Sequence, residues 1–125
     1  MSGTGLDPML EVDTRLDDGR LVVGLAGELD VYSARGLREV LDSSPREARR
    51  RVAVEMARLD FLDSSGLGVL VGAMKRAQSL GGGLCMVGPQ ERILKTFRIT
   101  GLIRVIPAFS DLKDAFAWLD AICAT

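Results

Sequence analysis

Apolar residues in this chain change their spacing again and again, and the order of those changes limits the fold more than any other feature. Met9–Arg15 (MLEVDTR) alternates apolar and polar as an edge strand does, and Asp17-Asp18-Gly19 supplies a turn. Leu21–Ala26 (LVVGLA) reads as a second strand, so the pair predicts a hairpin. Then the period lengthens. Ser33 is the expected N-cap of a helix through Leu41 whose Ala34, Leu37, Val40 and Leu41 share one face. Ser43-Ser44-Pro45 stops it, and Val52–Met56 returns to strand spacing. A second helix is expected from roughly Ser65 to Leu80, closed by Gly81-Gly82-Gly83, with Leu84–Val87 as a fourth strand. Pro89 and Gly101 bracket a third helix with Ile93, Leu94 and Phe97 facing inward. Arg104–Ile106 reads as a short fifth strand stopped by Pro107. Ser110 or Asp111 caps a last helix in which Leu112, Ala115, Phe116, Leu119 and Ile122 repeat at helical spacing. The order β-β-α-β-α-β-α-β-α predicts an α/β fold: a central mixed sheet of four to five strands flanked by about four α-helices.

At 125 residues, 47% apolar, the chain suits one domain, expected at 9–121 between short tails at 1–8 and 122–125. A formal charge of −1 gives no long-range pull toward nucleic acid or an acidic membrane, so neither is expected as a direct partner. The apolar stretch from Gly66 to Met74 is too short to span a bilayer. Residues 1–8 have neither the basic start nor the apolar run of a secretion signal, and a cytoplasmic location is the expectation. Cys85 and Cys123 lack the spacing of a metal knuckle or a disulfide framework. The chain contains no histidine, which closes the usual triads, many zinc sites and imidazole acid–base chemistry. No enzyme activity, metal or cofactor is expected.

The segment Asp63-Ser64-Ser65-Gly66-Leu67-Gly68 carries the most chemical information. A strand-like run passes there into a helix, and Asp or Ser side chains at that junction accept bonds from the first N–H groups of the helix. A plain cap explains one hydroxyl. Two adjacent hydroxyls exceed that need, so one can be exposed while the other binds backbone. Gly66 and Gly68 each cost about 0.8–1 kcal/mol relative to Ala inside a helix, which implies a close approach that compensates. A phosphate at a helix N-terminus meets the positive end of the dipole, a gain of about 0.3–1 kcal/mol when exposed. If Leu21–Ala26 and Val52–Met56 run parallel, their carboxyl ends share one edge of the sheet and bring Glu28, Asp30 and Tyr32 near Asp63 and Ser64.

Other patterns fail on inspection. In Gly66-Leu-Gly68-Val-Leu-Val-Gly72 the third glycine falls one position late for a dinucleotide fingerprint, and helix packing against the sheet is the better account. Gly81-Gly82-Gly83 lacks the Gly-Lys-Ser/Thr of a phosphate loop. Leu62–Gly66 lacks a nucleophile elbow. The basic run Arg46, Arg49, Arg50, Arg51 reads as a solvated loop, and Trp118 as core.

Gly27-Glu28-Leu29-Asp30, followed some thirty residues later by Phe61-Leu62-Asp63-Ser64-Ser65-Gly66-Leu67-Gly68-Val69-Leu70, resembles the STAS domain of bacterial anti-sigma factor antagonists. Gln90–Leu102 is similar to the matching helix of actinobacterial members, and the resemblance runs from about Met9 to Leu119. It implies a single STAS-like domain with no catalysis of its own. It also implies that Ser64 accepts phosphate from ATP, delivered by an anti-sigma factor that acts as a serine kinase. The unphosphorylated form then binds that anti-sigma factor and frees a sigma factor, and a PP2C-type phosphatase resets the switch. The implied contact surface carries over to Asp30, Asp63, Ser64, Ser65 and Gly66. Two other classes stand beside this one. One is a scaffold subunit of a stress-signalling or lipid-transport complex without a phospho-switch. The other is an enzyme or small-ligand sensor using the Asp30, Asp63 and Ser64 edge.

Overall fold

Asp18 and Gly19 both hold positive φ (50° and 79°), the conformation a two-residue hairpin turn demands, and they fold β1 (Leu10–Asp17) back on β2 (Arg20–Leu29). The antiparallel register runs from Asp17↔Arg20 to Leu10↔Gly27. The structure, a computed structural model, describes residues 9–123. The tail expected at 1–8, and residues 124 and 125 of the one expected at 122–125, lie outside them.

From β2 onward every crossover is a helix, and the strands it joins run parallel. β2 pairs with β3 (Arg51–Leu62), β3 with β4 (Gly83–Val87) and β4 with β5 (Ala108–Phe109), giving one mixed sheet in the order β1-β2-β3-β4-β5. Four helices alternate with the strands: α1 (Ala34–Asp42), α2 (Ser64–Ser79), α3 (Glu91–Ile99) and α4 (Leu112–Ile122). The expected α/β architecture is therefore the observed one.

Period-two alternation feeds two cores. Val23, Leu25, Val54, Met56 and Met86 point to the face covered by Leu37, Leu70, Met74 and Phe97 of α1, α2 and α3. Ala53, Cys85 and Val87 point to the other, where Ala115 and Leu119 of α4 cover them and Trp118 packs against Phe109. Burial pushes the Cys85 thiol up to about 12.

The structure corrects the sequence reading in four places. The fifth strand is not Arg104–Ile106. Gly101 turns left-handed (φ 79°) into a 3-10 turn at Leu102–Arg104, and the Ile106 amide bonds back to Leu102 at 2.8 Å. Pairing starts only at Pro107, whose carbonyl accepts from Met86 at 2.8 Å, so β5 follows the proline instead of preceding it. Second, β3 extends six residues past the expected end at Met56, through register shifts opposite Gly24–Ala26 and Gly27–Glu28. Third, the arginine run is not a plain loop. Arg46–Arg50 is a 3-10 turn in which Arg49 donates to the carbonyls of Ser44 and Asp42, and Arg51 already belongs to β3. Fourth, Ser33 occupies the N-cap position of α1 as expected, but its side chain makes no cap bond to that helix.

Among the described residues, no helix is long and apolar enough to cross a membrane.

Candidate functional site

β4 pairs only with the first part of β3, Arg51–Glu55, so the far half of β3 runs on beside β2 alone. The carboxyl ends of these two strands finish together, Glu28 beside Phe61 and Leu29 beside Leu62. There the chain leaves the sheet twice, and Asp63 holds both exits. Its Oδ1 accepts from the amides of Ser65 (2.9 Å) and Gly66 (3.0 Å), closing the N-terminus of α2. Its Oδ2 accepts from the amide of Val31 at 3.0 Å, and its own amide donates to the Leu29 carbonyl at 3.2 Å. One side chain thus ties the loop after β2 to the helix after β3.

Asp30 organises the other loop. Its Oδ1 accepts from the amides of Tyr32 (2.9 Å) and Ser33 (3.1 Å), a turn built on the side chain. The buried Ser33 hydroxyl accepts from the Asp30 amide and donates to the Glu28 carbonyl, both at 2.9 Å. Gly66 is dictated by contact: a Cβ there would lie 2.5 Å from Leu29 Cγ and 2.9 Å from the Leu29 carbonyl oxygen. Gly68 differs, because nothing lies within 4 Å of the place its Cβ would take. A glycine notch for packing accounts for Gly66 and not for Gly68.

All five residues singled out in the sequence, Asp30, Asp63, Ser64, Ser65 and Gly66, meet at this edge, and they divide by task. Asp30, Asp63 and Gly66 hold the backbone. Ser64 opens α2 with its side chain exposed, Ser65 is half-buried beside it, and neither hydroxyl is used in the cap. Three exposed apolar side chains lie in the segments around them: Val31 (59% exposed), Tyr32 (86%) and Phe61 (47%). Topology places Tyr32 at this edge. Nothing in the sequence pattern marks Val31 or Phe61 as surface, and simple alternation from the buried Leu59 would turn Phe61 inward. The extra residue Asp60 between the pairs Gly27↔Leu59 and Glu28↔Phe61 turns it outward.

Such an edge offers an exposed hydroxyl at a helix's positive end, carboxylates fixed as backbone anchors, and an apolar rim. Among the described residues no group of His, Cys, Asp and Glu is placed to hold a metal ion. Residues 10–115 match the sequence profile of the STAS domain.

The chain belongs to the STAS-domain family.

Within that family it is similar to the anti-sigma-B factor antagonist of Bacillus subtilis (strain 168), 38% identical over 98 residues that cover 78% of this chain and 88% of that protein. Its fold is also that of two solved structures. An anti-sigma factor antagonist from Mycobacterium paratuberculosis aligns with a TM-score of 0.78 at 22% identity, over 95% of this chain and 98% of that one. The Bacillus cell fate determinant SpoIIAA in its phosphorylated form aligns at 0.67 and 22% identity, over 86% and 97%.

A second polar cluster of this STAS domain lies at the opposite end of the strands. Arg20 and Arg51, which begin β2 and β3, both reach Asp120 on α4: Arg20 Nε donates at 3.0 Å and Arg51 Nη1 at 3.1 Å. The hydrogen bond from Arg20, then its charge and those of Arg51, hold the Asp120 carboxyl below the usual aspartate range. Arg20 also stacks over the Phe116 ring at 4.4 Å. This cluster fastens α4 to the sheet, far from Ser64.

Proposed function

We propose that the protein is an anti-sigma factor antagonist. Its unphosphorylated form binds an anti-sigma factor of serine-kinase fold, which releases a sigma factor. Transfer of phosphate from ATP to Ser64 ends the binding, and a PP2C-type phosphatase restores it. The observation that carries this reading is the exposed Ser64 hydroxyl at the first position of α2, unused by the cap and set beside the apolar rim of Val31, Tyr32 and Phe61. The curated relative named for sigma-B antagonism supports the partner class.

Charge then does the switching. A phosphate adds about −1.5 to −2 at neutral pH. Asp63 already occupies the amides of Ser65 and Gly66, so the new group gains no cap bond from them and stands next to a carboxylate. The dipole of α2 moderates its effect on the fold, while a docked partner meets an uncompensated anion amid apolar contacts. Desolvation and like-charge repulsion cost the complex several kcal/mol, roughly a hundredfold or more in affinity.

Titration calorimetry with the cognate anti-sigma factor tests this. Ser64→Ala binds as wild type does and no longer responds to ATP, Ser64→Asp binds weakly, and phosphopeptide mapping after incubation with partner and ATP finds Ser64 and not Ser65. Equal affinities for the two variants, or label only on Ser65, defeat the proposal.

A further inference from the structure

Among the described residues β1 leaves one long side of the sheet unpaired: it stands first in the strand order and its ladder partner is β2 alone. The Glu28 amide donates to the Met9 carbonyl at 2.6 Å, and the two-residue turn closes on the pair Asp17↔Arg20, which fixes the alternation along the hairpin. Glu11, Asp13, Arg15 and Asp17 therefore direct their backbone groups toward β2, and Val12, Thr14 and Leu16 direct theirs outward. Edges of this kind are usually blunted by proline, charged side chains or a bulge. LEVDTRLD has no proline and pairs continuously with β2; its four charges, Glu11, Asp13, Arg15 and Asp17, are of both signs and share the face opposite Leu10 and Val12, so they repel or attract a second strand according to register. Leu16, on the core-facing side with Leu10 and Val12, is 56% exposed.

We propose that β1 pairs antiparallel with β1 of a second copy, with Thr14 facing Thr14 on a two-fold axis, so that the two sheets become one. Outward amides meet outward carbonyls only when even-numbered residues face each other. Of those registers, the Thr14-centred one sets Asp13 of each copy opposite Arg15 of the other. Centring on Asp13 stacks two carboxylates on the axis, centring on Arg15 stacks two guanidinium groups, and centring on Val12 faces Asp13 with Glu11. The end pairs of the chosen register, Glu11 with Asp17, are like-charged, but each copy already holds Arg58 at 3.8 Å from Glu11 and Arg20 at 3.6 Å from Asp17. Arg15 uses two of its five N–H donors on Glu55 and keeps the rest for Asp13 of the second copy. Val12 of the second copy then covers Leu16, a contact between apolar neighbours across the new ladder.

Sedimentation equilibrium over a concentration series reads the result directly. Wild-type protein approaches twice its 13.5 kDa monomer mass. Asp13→Arg alone and Arg15→Asp alone each raise the dimer dissociation constant about tenfold or more, since both cross-strand pairs become repulsive. An equimolar mixture of the two variants recovers the dimer, because every position 13 then faces a position 15 of opposite sign. Thr14→Pro removes an outward N–H without touching the bonds to β2 and leaves a folded monomer by circular dichroism. A wild-type protein that stays monomeric throughout, an Asp13→Arg variant as dimeric as wild type, or a mixture no tighter than its components overturns the proposal. Ser64→Asp leaves the dimer unchanged, which separates this inference from the phospho-switch.

Discussion

Gly66 and Gly68 sit two positions apart in the first turns of α2 and carry the same helix penalty, yet their surroundings differ completely. Leu29 and Leu62 crowd the Gly66 Cα so closely that a methyl group must push the helix off β2. Gly68 faces open space. Gly66→Ala is expected to destabilise the fold by about 1–3 kcal/mol through overpacking, and Gly68→Ala to stabilise it by about 0.8–1 kcal/mol through helix propensity. Urea denaturation of the two variants measures both, and opposite signs are the expected outcome. The sequence says only that both are glycine, since what separates them is the distance of each to a different strand. Asp63 shows the same limit. Its place before Ser64 made a cap foreseeable, but the second carboxylate oxygen reaching Val31 depends on how β2 and β3 end side by side.

At the scale of elements, α4 is fastened by charge as well as by Ala115 and Leu119. Asp120 is half-exposed, so solvent screening holds the arginine contacts to about 0.5–1 kcal/mol in all. Its folded carboxyl titrates below the unfolded one, whose ordinary value is about 3.9. The stabilisation is therefore fully present above that value and is lost as pH falls through the depressed folded pKa. Asp120→Asn is expected to melt a few degrees below wild type at pH 7, roughly 4 °C per kcal/mol. The gap should close as pH falls below about 4, where wild type loses the same contacts. Thermal melts across that range check it, and a gap that widens in acid contradicts the assignment. The alternation of strand and helix patterns made α4 and its inward face legible. The clasp was not, because Arg20, Arg51 and Asp120 are brought together only by the parallel return of β3 beside β2. The misplaced fifth strand has a comparable cause. Val105 and Ile106 have strand composition, but Gly101 sets a tight turn and Pro107 has no amide to begin a ladder before the proline.

The whole molecule places its two polar centres at opposite ends of the parallel strands, with the Ser64 edge at their carboxyl ends and the Asp120 clasp at their amino ends. The apolar rim at the Ser64 edge contributes little to folding, since Tyr32 and Phe61 are 86% and 47% exposed. An interface that buries them gains most from such residues, because large aromatic side chains carry a disproportionate share of binding energy. Tyr32→Ala and Phe61→Ala are therefore expected to change unfolding free energy by no more than about 0.5 kcal/mol, and to weaken capture of the proposed anti-sigma partner by about 1–2 kcal/mol each, five- to thirtyfold on the usual conversion. Calorimetric binding set beside urea denaturation of the same two variants separates the effects. Loss of stability without loss of binding makes Phe61 and Tyr32 packing residues. Loss of binding at constant stability makes them the contact that the proposed phosphate on Ser64 would disrupt, since Asp63 ties the loop bearing Tyr32 to the helix bearing Ser64.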